Sequence, residues 1–532
     1  MAARPAGANG EALLESYLSG QWRAGGGDGD ALVNPATGEV VARASSRGLD
    51  LAGALEFARS RGGPALRALS FTERAALIGQ IADALGASKD RWYEISRINS
   101  GNTRADAMID VDGAIGTLKY FAKLGAGLGD GRLMGDGSPA RLGRDPNFVG
   151  MHIGVPVKGV AIQINAYNFP SWGMWEKAGV ALLAGVPVLA KPATSTAWLA
   201  EEMIRAVVDA GVLPEGALSL LSGSAGDLLD HVRFGDVIAF TGSAETGLKI
   251  RQSPRVVGQG VRVNVEADSL NSAVLAPDAG PGTPAFDFFV TEVAREMTIK
   301  AGQKCTAIRR AFVPADQADA AVDALAAALA AIQVGDPSDE AVKMGPLVNM
   351  SQRRTVEEGV SALVGAGAGR VDYASAGLKG DAAKGAFVAP NLLRAKAGDV
   401  SPLVHEIEVF GPVSTVIPYG GAEEMFGLVR QGGGSLVSSV YANDPGFLVD
   451  AAEALGDSHG RLMLIDPTVG ASHTGHGNVL PLLNHGGPGR AGDGAELGAL
   501  RGLWFYLQRT AVQGSADTLA QLGGRIAQQA TP

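Results

Sequence analysis

Between residues 159 and 275, short apolar runs alternate with segments of helical period, and few architectures accommodate that alternation. "GVAIQIN", "PVLAKPA", "ALSLLSG", "DVIAFTGS" and "VRVNVEA" are short and almost continuously apolar, as strands covered on both faces must be. Between them lie "SWGMWEKAGVALLAG", "AWLAEEMIRAVVDAG", "AGDLLDHVRF" and a segment starting at Ala244, all read as helices. Such alternation implies a parallel, doubly wound sheet, which binds ligands beyond the carboxyl ends of its strands. A second α/β set follows Asn271, opening with a helix over 286–300 and including the Ala-rich amphipathic "ADQADAAVDALAAALAAIQVG". Upstream, "VNPATGEVVARAS" reads as two extended runs around a tight turn. Residues 51–121 are helical, with Thr72 expected as the N-cap of "FTERAALIGQIADALGASKDRWYEISRIN". Residues 125–150 read as irregular, "FVGMHIGVPVKGVAIQIN" as extended, and the polar tail past Val512 as peripheral.

The length, 532 residues, exceeds what one simple core accommodates, so two or more domains are expected. A net charge of -10 with no dense Lys/Arg block speaks against nucleic acid as a partner. The N-terminus lacks a secretory signal, and no window approaches the ~20 uninterrupted apolar residues of a membrane span. A cytoplasmic enzyme is the expectation. A single cysteine, Cys305, excludes an intrachain disulfide and a thiolate-rich metal site.

Several residues stand where chemistry is placed in such folds. In "DVIAFTGSAETGLKI", Gly242 and Gly247 mark a strand-to-helix turn that either meets a phosphate or is only a turn. In "VLAKPATST", Lys191 ends a strand, as a ribose or phosphate contact or as a surface lysine. Asn168 in "INAYNFPSWGMW" offers an amide to an oxyanion, or makes its own turn. Glu266 in "VNVEADSLN" is a general base with a raised pKa, or a loop acid. Cys305 in "REMTIKAGQKCTAIRR" is a nucleophile or a packing residue; Lys300, Lys304, Arg309 and Arg310 around it favour the thiolate. Trp172 and Trp175 line an apolar tunnel or pack in a core. No histidine pair has metal-ligand spacing, and no metal is expected, the "SHTGHG" loop included.

In order along the chain, "NPATGE", "YNFP", "KPA", "FTGS", a strand-end glutamate, "GQKC", "VGDPSD", "GPLVN" and "EVFGPV" resemble the aldehyde dehydrogenase superfamily over most of the chain. The resemblance implies an α/β aldehyde dehydrogenase fold, with two doubly wound Rossmann-like domains and a small β oligomerisation flap. It divides the chain into a dinucleotide-binding domain (1–135 and 159–275), a catalytic domain (276–485), and a flap with tail (136–158 and 486–532). The flap would join strands around 136–158 to one near "LWFYLQRTAV" and form a homodimer or a tetramer.

The resemblance also implies roles: Cys305 the nucleophile, Glu266 the general base, Asn168 the oxyanion donor, Lys177 a supporting lysine. It places the cofactor on Ile164, Asn165, Lys191, Thr194 and Gly223. Further contacts fall on Thr241, Gly242, Ser243, Thr246, Glu408 and Phe410. NAD-preferring members carry a glutamate three residues after the lysine; here that residue is Thr194, so NADP is expected, with NAD possible. Three departures stand out. "EADS" replaces Glu-Leu-Gly-Gly, Lys304 precedes the nucleophile, and "DPTVGASHTGHGNVLPLLNHGGPGRAGDG" replaces a shorter mouth segment. Within the family the sequence most resembles the semialdehyde dehydrogenases of CoA-dependent aerobic benzoate and phenylacetate degradation. The expected reaction is oxidation of an aldehyde to an acid through a cysteine thioester. The substrate would be a CoA-linked semialdehyde or a medium-chain aliphatic aldehyde. The alternatives are a CoA-acylating dehydrogenase and a catalytically silent nucleotide-binding protein.

Overall fold

In the computed structural model, which describes residues 11–527, the alternating segment builds a seven-stranded sheet. Its strand order is Arg262–Glu266, Val237–Thr241, Ala161–Ile164, Val188–Lys191, Leu218–Leu220, Ser16–Leu18, Gln21–Arg23. The first five strands are parallel, and the two N-terminal ones close the edge antiparallel. From Ala161–Ile164 the chain winds first to one side and then returns to the other. The strand order therefore reverses between Ile164 and Thr241, where a ligand crevice forms in such sheets.

Both faces are dry, as the apolar runs require. Along the strands, Val188 and Ala190 face the core built by the helices Phe71–Gly86, Arg104–Gly127, Trp172–Ala184 and Ala197–Asp209. Leu189, Ile162, Ile238 and Phe240 face the opposite core, shared with Leu51–Phe57. This is the two-residue alternation of a pleated strand with helices on both sides. "AGDLLDHVRF" is not a full helix there but a single 3-10 turn, Leu228–His231. Ser70, not Thr72, caps Phe71–Gly86: its hydroxyl accepts from Glu73 N while the Glu73 carboxylate accepts from Ser70 N.

The second sheet runs Gly369–Arg370, Asn391–Arg394, Val413–Tyr419, Arg310–Pro314, Ser272–Leu275, Ser435–Tyr441, His459–Ile465. Ser272–Leu275 pairs on both sides within this sheet, so the boundary between the two halves falls before Ser272 rather than after residue 275. Three antiparallel strands, Met134–Arg141, Phe148–Pro156 and Leu507–Ser515, form a separate small sheet. The tail is not loose. Helix Ala516–Gly523 lays Leu519 against Met151 and Ile153, and Ala527 N bonds Leu133 O. Residues 486–506, expected with the flap, lie away from it: Arg490 N bonds Gly433 O of the second half, and the remainder folds back against the first half. The hairpin of Asn484–His485 and Glu496–Leu497 and the helix Leu500–Phe505 pack there.

Candidate active site

Cys305 is presented by a broken helix. Pro284–Thr298 stops, and a 3-10 turn, Ile299–Gly302, carries Lys300 and Ala301 in the left-handed region (φ 51° and 52°). Gly302 follows at φ 66°, where a Cβ would sit 2.2 Å from Gly411 O, so only glycine fits. The break turns the chain sharply toward the seam between the two sheets. Asn271 holds the new direction, its amide donating to Cys305 O (2.7 Å) and Ala307 O (3.0 Å).

Cys305, Glu266, Asn168, Asn165, Lys177 and Trp172 all line one cavity. It opens at the carboxyl ends of the first sheet's strands, at the reversal point. A Glu266 carboxylate oxygen lies within 4.8 Å of the Cys305 sulfur. Neither the Asn168 amide nor the Cys305 backbone N–H has a hydrogen-bond partner among the described residues, so both are free to meet an oxyanion. Trp172 lines the cavity, whereas Trp175 is fully enclosed in core.

Two electrostatic expectations are reversed. The cations flanking the cysteine are engaged elsewhere, and the lowering that Lys304 exerts on the thiol is outweighed. Lys304 Nζ lies 2.7 Å from both Glu296 oxygens. Arg309 is bonded to Gly411 O and Gly302 O and lies 3.6 Å from Glu408. Arg310 binds the carbonyls of Leu270, Leu428 and Val429, and Lys300 Nζ lies 4.7 Å from the centre of the Phe169 ring. Burial and the adjacent Glu266 carboxylate instead push the thiol well above its ordinary value, so the proton rests on sulfur. Glu266 shifts opposite to expectation. Burial opposes its ionisation, but His485 and then Lys177 outweigh burial and hold the carboxyl below the usual carboxylate range.

Lys177 is the supporting lysine that the resemblance implies, whereas His485 has no role assigned from the sequence. His485 Nε2 is 3.1 Å from Glu266 Oε1, and Thr241 Oγ1 donates to Glu266 Oε2 at 3.4 Å. Lys177 Nζ lies 2.9 Å from Glu496 Oε2 and 3.4 Å from Glu176 Oε1. Burial opposes the Lys177 charge, but Glu496, Glu176 and Glu266 raise its pKa regardless. Burial likewise raises Glu496, to about 7, despite Lys177. Glu176 adjoins Lys177 in "WEKAG", which was a usable signal. His485 and Glu496 sit in a glycine-rich stretch with no periodicity, and nothing local marks them. His476 of "SHTGHG" is fully buried, bonded to Ser439 Oγ (2.6 Å) and Thr306 O (3.0 Å). Burial lowers its pKa to about 3, leaving it neutral and structural.

The proposed cofactor residues divide. Ile164, Asn165, Thr241 and Gly242 sit at the strand reversal; both polar atoms of the buried Asn165 amide lack partners, as a ligand-facing amide would. Lys191 ends its strand with Nζ on Pro192 O (3.0 Å), and burial lowers it to about 8. Thr194 opens the 3-10 turn just beyond. Burial raises Glu408 to about 7. Its Oε2 accepts from Ser269 N (3.0 Å), and its Oε1 is buried without a hydrogen bond. Phe410 stands edge-on to Tyr167. These orphaned groups fit a dinucleotide. Three other assigned residues have protein partners. Ser243 caps helix Ala244–Gln252 through Thr246 N, and the Asp268 of "EADS" takes Ala244 N at 3.0 Å. Two of the helix's first amides are therefore already satisfied. Gly223 (φ 103°) packs directly on the backbone of Ser45 and Ser46.

The sequence matches the family described as "Aldehyde dehydrogenase family" over residues 22–511. It is 51% identical over 480 residues to the 3,4-dehydroadipyl-CoA semialdehyde dehydrogenase of Aromatoleum evansii, covering 89% of this chain and 93% of that one. It is 29% identical to a glutarate-semialdehyde dehydrogenase of Pseudomonas aeruginosa, covering 83% and 87%. Among solved structures, the NAD+ complex of betaine aldehyde dehydrogenase from Staphylococcus aureus superposes with a TM-score of 0.81 at 22% identity, covering 95% of each chain.

Proposed function

The chain belongs to the aldehyde dehydrogenase family, whose members oxidise aldehydes with NAD(P), and on that premise we propose how its residues divide the work. Cys305 is the nucleophile, Glu266 the general base, and Asn168 with the Cys305 N–H the oxyanion site. The observation that supports this most is the shared cavity, in which the thiol lies within 4.8 Å of the Glu266 carboxylate beside two unengaged N–H donors.

The thiol proton passes to the Glu266 carboxylate as sulfur bonds to the aldehyde carbon. The carbonyl oxygen, now anionic, is held by the Asn168 amide and the Cys305 N–H. A bound nicotinamide supplies the acceptor for the hydride that leaves that carbon. The product on Cys305 is a thioester; Glu266 passes its proton to solvent, takes one from the water that attacks the thioester, and returns it to the departing Cys305 sulfur as the carboxylic acid is released. The structure carrying Lys177, Glu176 and Glu496 keeps the base in a fixed field.

The cofactor is NADP in preference to NAD. Thr194 stands where a carboxylate would repel a 2′-phosphate, and the buried Lys191 gains a counter-charge from one. The substrate is a CoA-linked semialdehyde, as the name of the Aromatoleum relative suggests. The enzyme works as a homodimer joined through the small sheet, and residues 276–485 form the bulk of the catalytic half.

A kcat/KM panel of aliphatic, aromatic and CoA-linked semialdehydes, run with NAD and with NADP, tests the substrate and cofactor. Cys305→Ala should lower turnover by about three orders of magnitude or more and leave cofactor binding, read by fluorescence, in place. Wild-type turnover in that variant, or acyl-CoA rather than acid as the product when free CoA is added, overturns the reading.

A further inference from the structure

We propose that His485 is a positioning residue for the general base: as an imidazolium it grips one oxygen of Glu266 and keeps that carboxylate ionised and aimed at Cys305. The proposal rests on the reading of Glu266 as base.

The geometry carries it. His485 Nε2 is 3.1 Å from Glu266 Oε1, with both side chains almost wholly enclosed. Donor atoms of Glu266, Cys305 and His485 lie within 4.8 Å of one another. The histidine is held from behind by its own hairpin, in which His485 pairs with Glu496 across Asn484–His485 and Glu496–Leu497. Glu496 is tied in turn to Lys177 (2.9 Å) and to the Asn264 amide (3.1 Å). A rotation of the imidazole therefore has to disturb a braced hairpin.

The charge count favours a second cation, even with the relief that protonation of Glu496, raised to about 7, provides. Glu266 from the first sheet, Glu176 from the helix Trp172–Ala184 and Glu496 from the hairpin lie within 4.8 Å of one another, and Lys177 is the one lysine among them. Buried carboxylates this close cannot all be ionised against a single ammonium. His485 faces Glu266, Glu176 and Glu496, with Lys177 and Cys305 completing its surroundings. Burial disfavours its charge, but Glu266, then Glu176 and Glu496, raise its pKa above the ordinary histidine value. His485 stands beside Oε1 as an ion-pair partner while Thr241 donates to Oε2, so both carboxylate oxygens are accounted for.

A neutral residue at 485 should let the Glu266 pKa rise, so the base becomes protonated at higher pH. His485→Gln is expected to move the acid limb of the kcat–pH profile up by at least one unit. Below the limb this reads as about a tenfold loss of kcat, recovered at alkaline pH. His485→Lys, which restores a cation, should return the limb toward its wild-type position. A limb that stays in place in His485→Gln, with or without a uniform drop in rate, overturns the proposal. Glu266→Gln is run alongside: wild-type kcat in that variant removes Glu266 as base, a failure separate from that of His485. If neither 485 variant folds, 15N imidazole titrations of wild type against Glu266→Gln decide. A histidine midpoint that falls on loss of the carboxylate supports the pair, and seven unchanged midpoints overturn it.

Discussion

Lys304 directly precedes the nucleophile, yet its charge goes elsewhere. Its ammonium is clasped by both oxygens of Glu296, and a Cβ on Gly477 would fall 2.1 Å from Lys304 Nζ. The pair thus seats the mouth loop at residue 477 behind the thiol, and the lowering that Lys304 exerts on the thiol is outweighed by burial and Glu266. Lys304→Met should leave Glu296 buried and unpaired and destabilise the protein by about 3–5 kcal/mol, read as a lowered midpoint of denaturant unfolding. Adding Glu296→Gln should recover most of the loss. The pH dependence of Cys305 alkylation in the double variant should follow wild type, because Glu266 and burial dominate the thiol. Sequence proximity suggested the opposite: adjacent cations in "GQKCTAIRR" read as thiolate-stabilising. Adjacency along the chain says which charges are near, but not which way each side chain turns or what neutralises it.

At the scale of elements, the apolar runs were legible because a strand buried on both faces has little compositional freedom. Ala161–Ile164, Val188–Lys191 and Val237–Thr241 all fall within the runs that announce them. The residues just past their carboxyl ends, Asn165, Thr194 and Gly242, follow from the same rule about parallel sheets. Thr194, opening its 3-10 turn, gives a direct test. Thr194→Glu should place a carboxylate toward the ribose and invert cofactor preference, with kcat/KM for NADP falling at least tenfold relative to NAD. No change in the NADP/NAD ratio would dissociate Thr194 from selectivity. Less legible was "AGDLLDHVRF", where a helical pattern yields one 3-10 turn. Short amphipathic stretches leave length to be set by what they pack on. The Thr72 expectation failed by two residues for a related reason, since Ser70 and Glu73 complete a reciprocal cap that Thr72 cannot.

Over the whole molecule, the small sheet leaves the outer edge of Leu507–Ser515 without a strand partner among the described residues, and Ala511 and Gln513 on that strand are exposed. Edges of this kind are covered or they aggregate. Light scattering should read about twice the 54.3 kDa chain mass for the wild type. Ala511→Asp with Gln513→Asp, which sets like charges along the edge of each copy, should shift the species toward a single chain. An unchanged mass would place the interface elsewhere. The sequence alone determined the parallel sheets, their strand-end residues and the ordered motifs around Cys305. These are local consequences of burial on two faces and of turns that only certain residues can make. Only the tertiary structure decided the ionic state of the site. His485 and Glu496 lie far along the chain from Glu266 and Lys177 and meet them through a hairpin with no sequence period. A pKa depends on what surrounds a group in space, and the chain brings those surroundings together only when it folds.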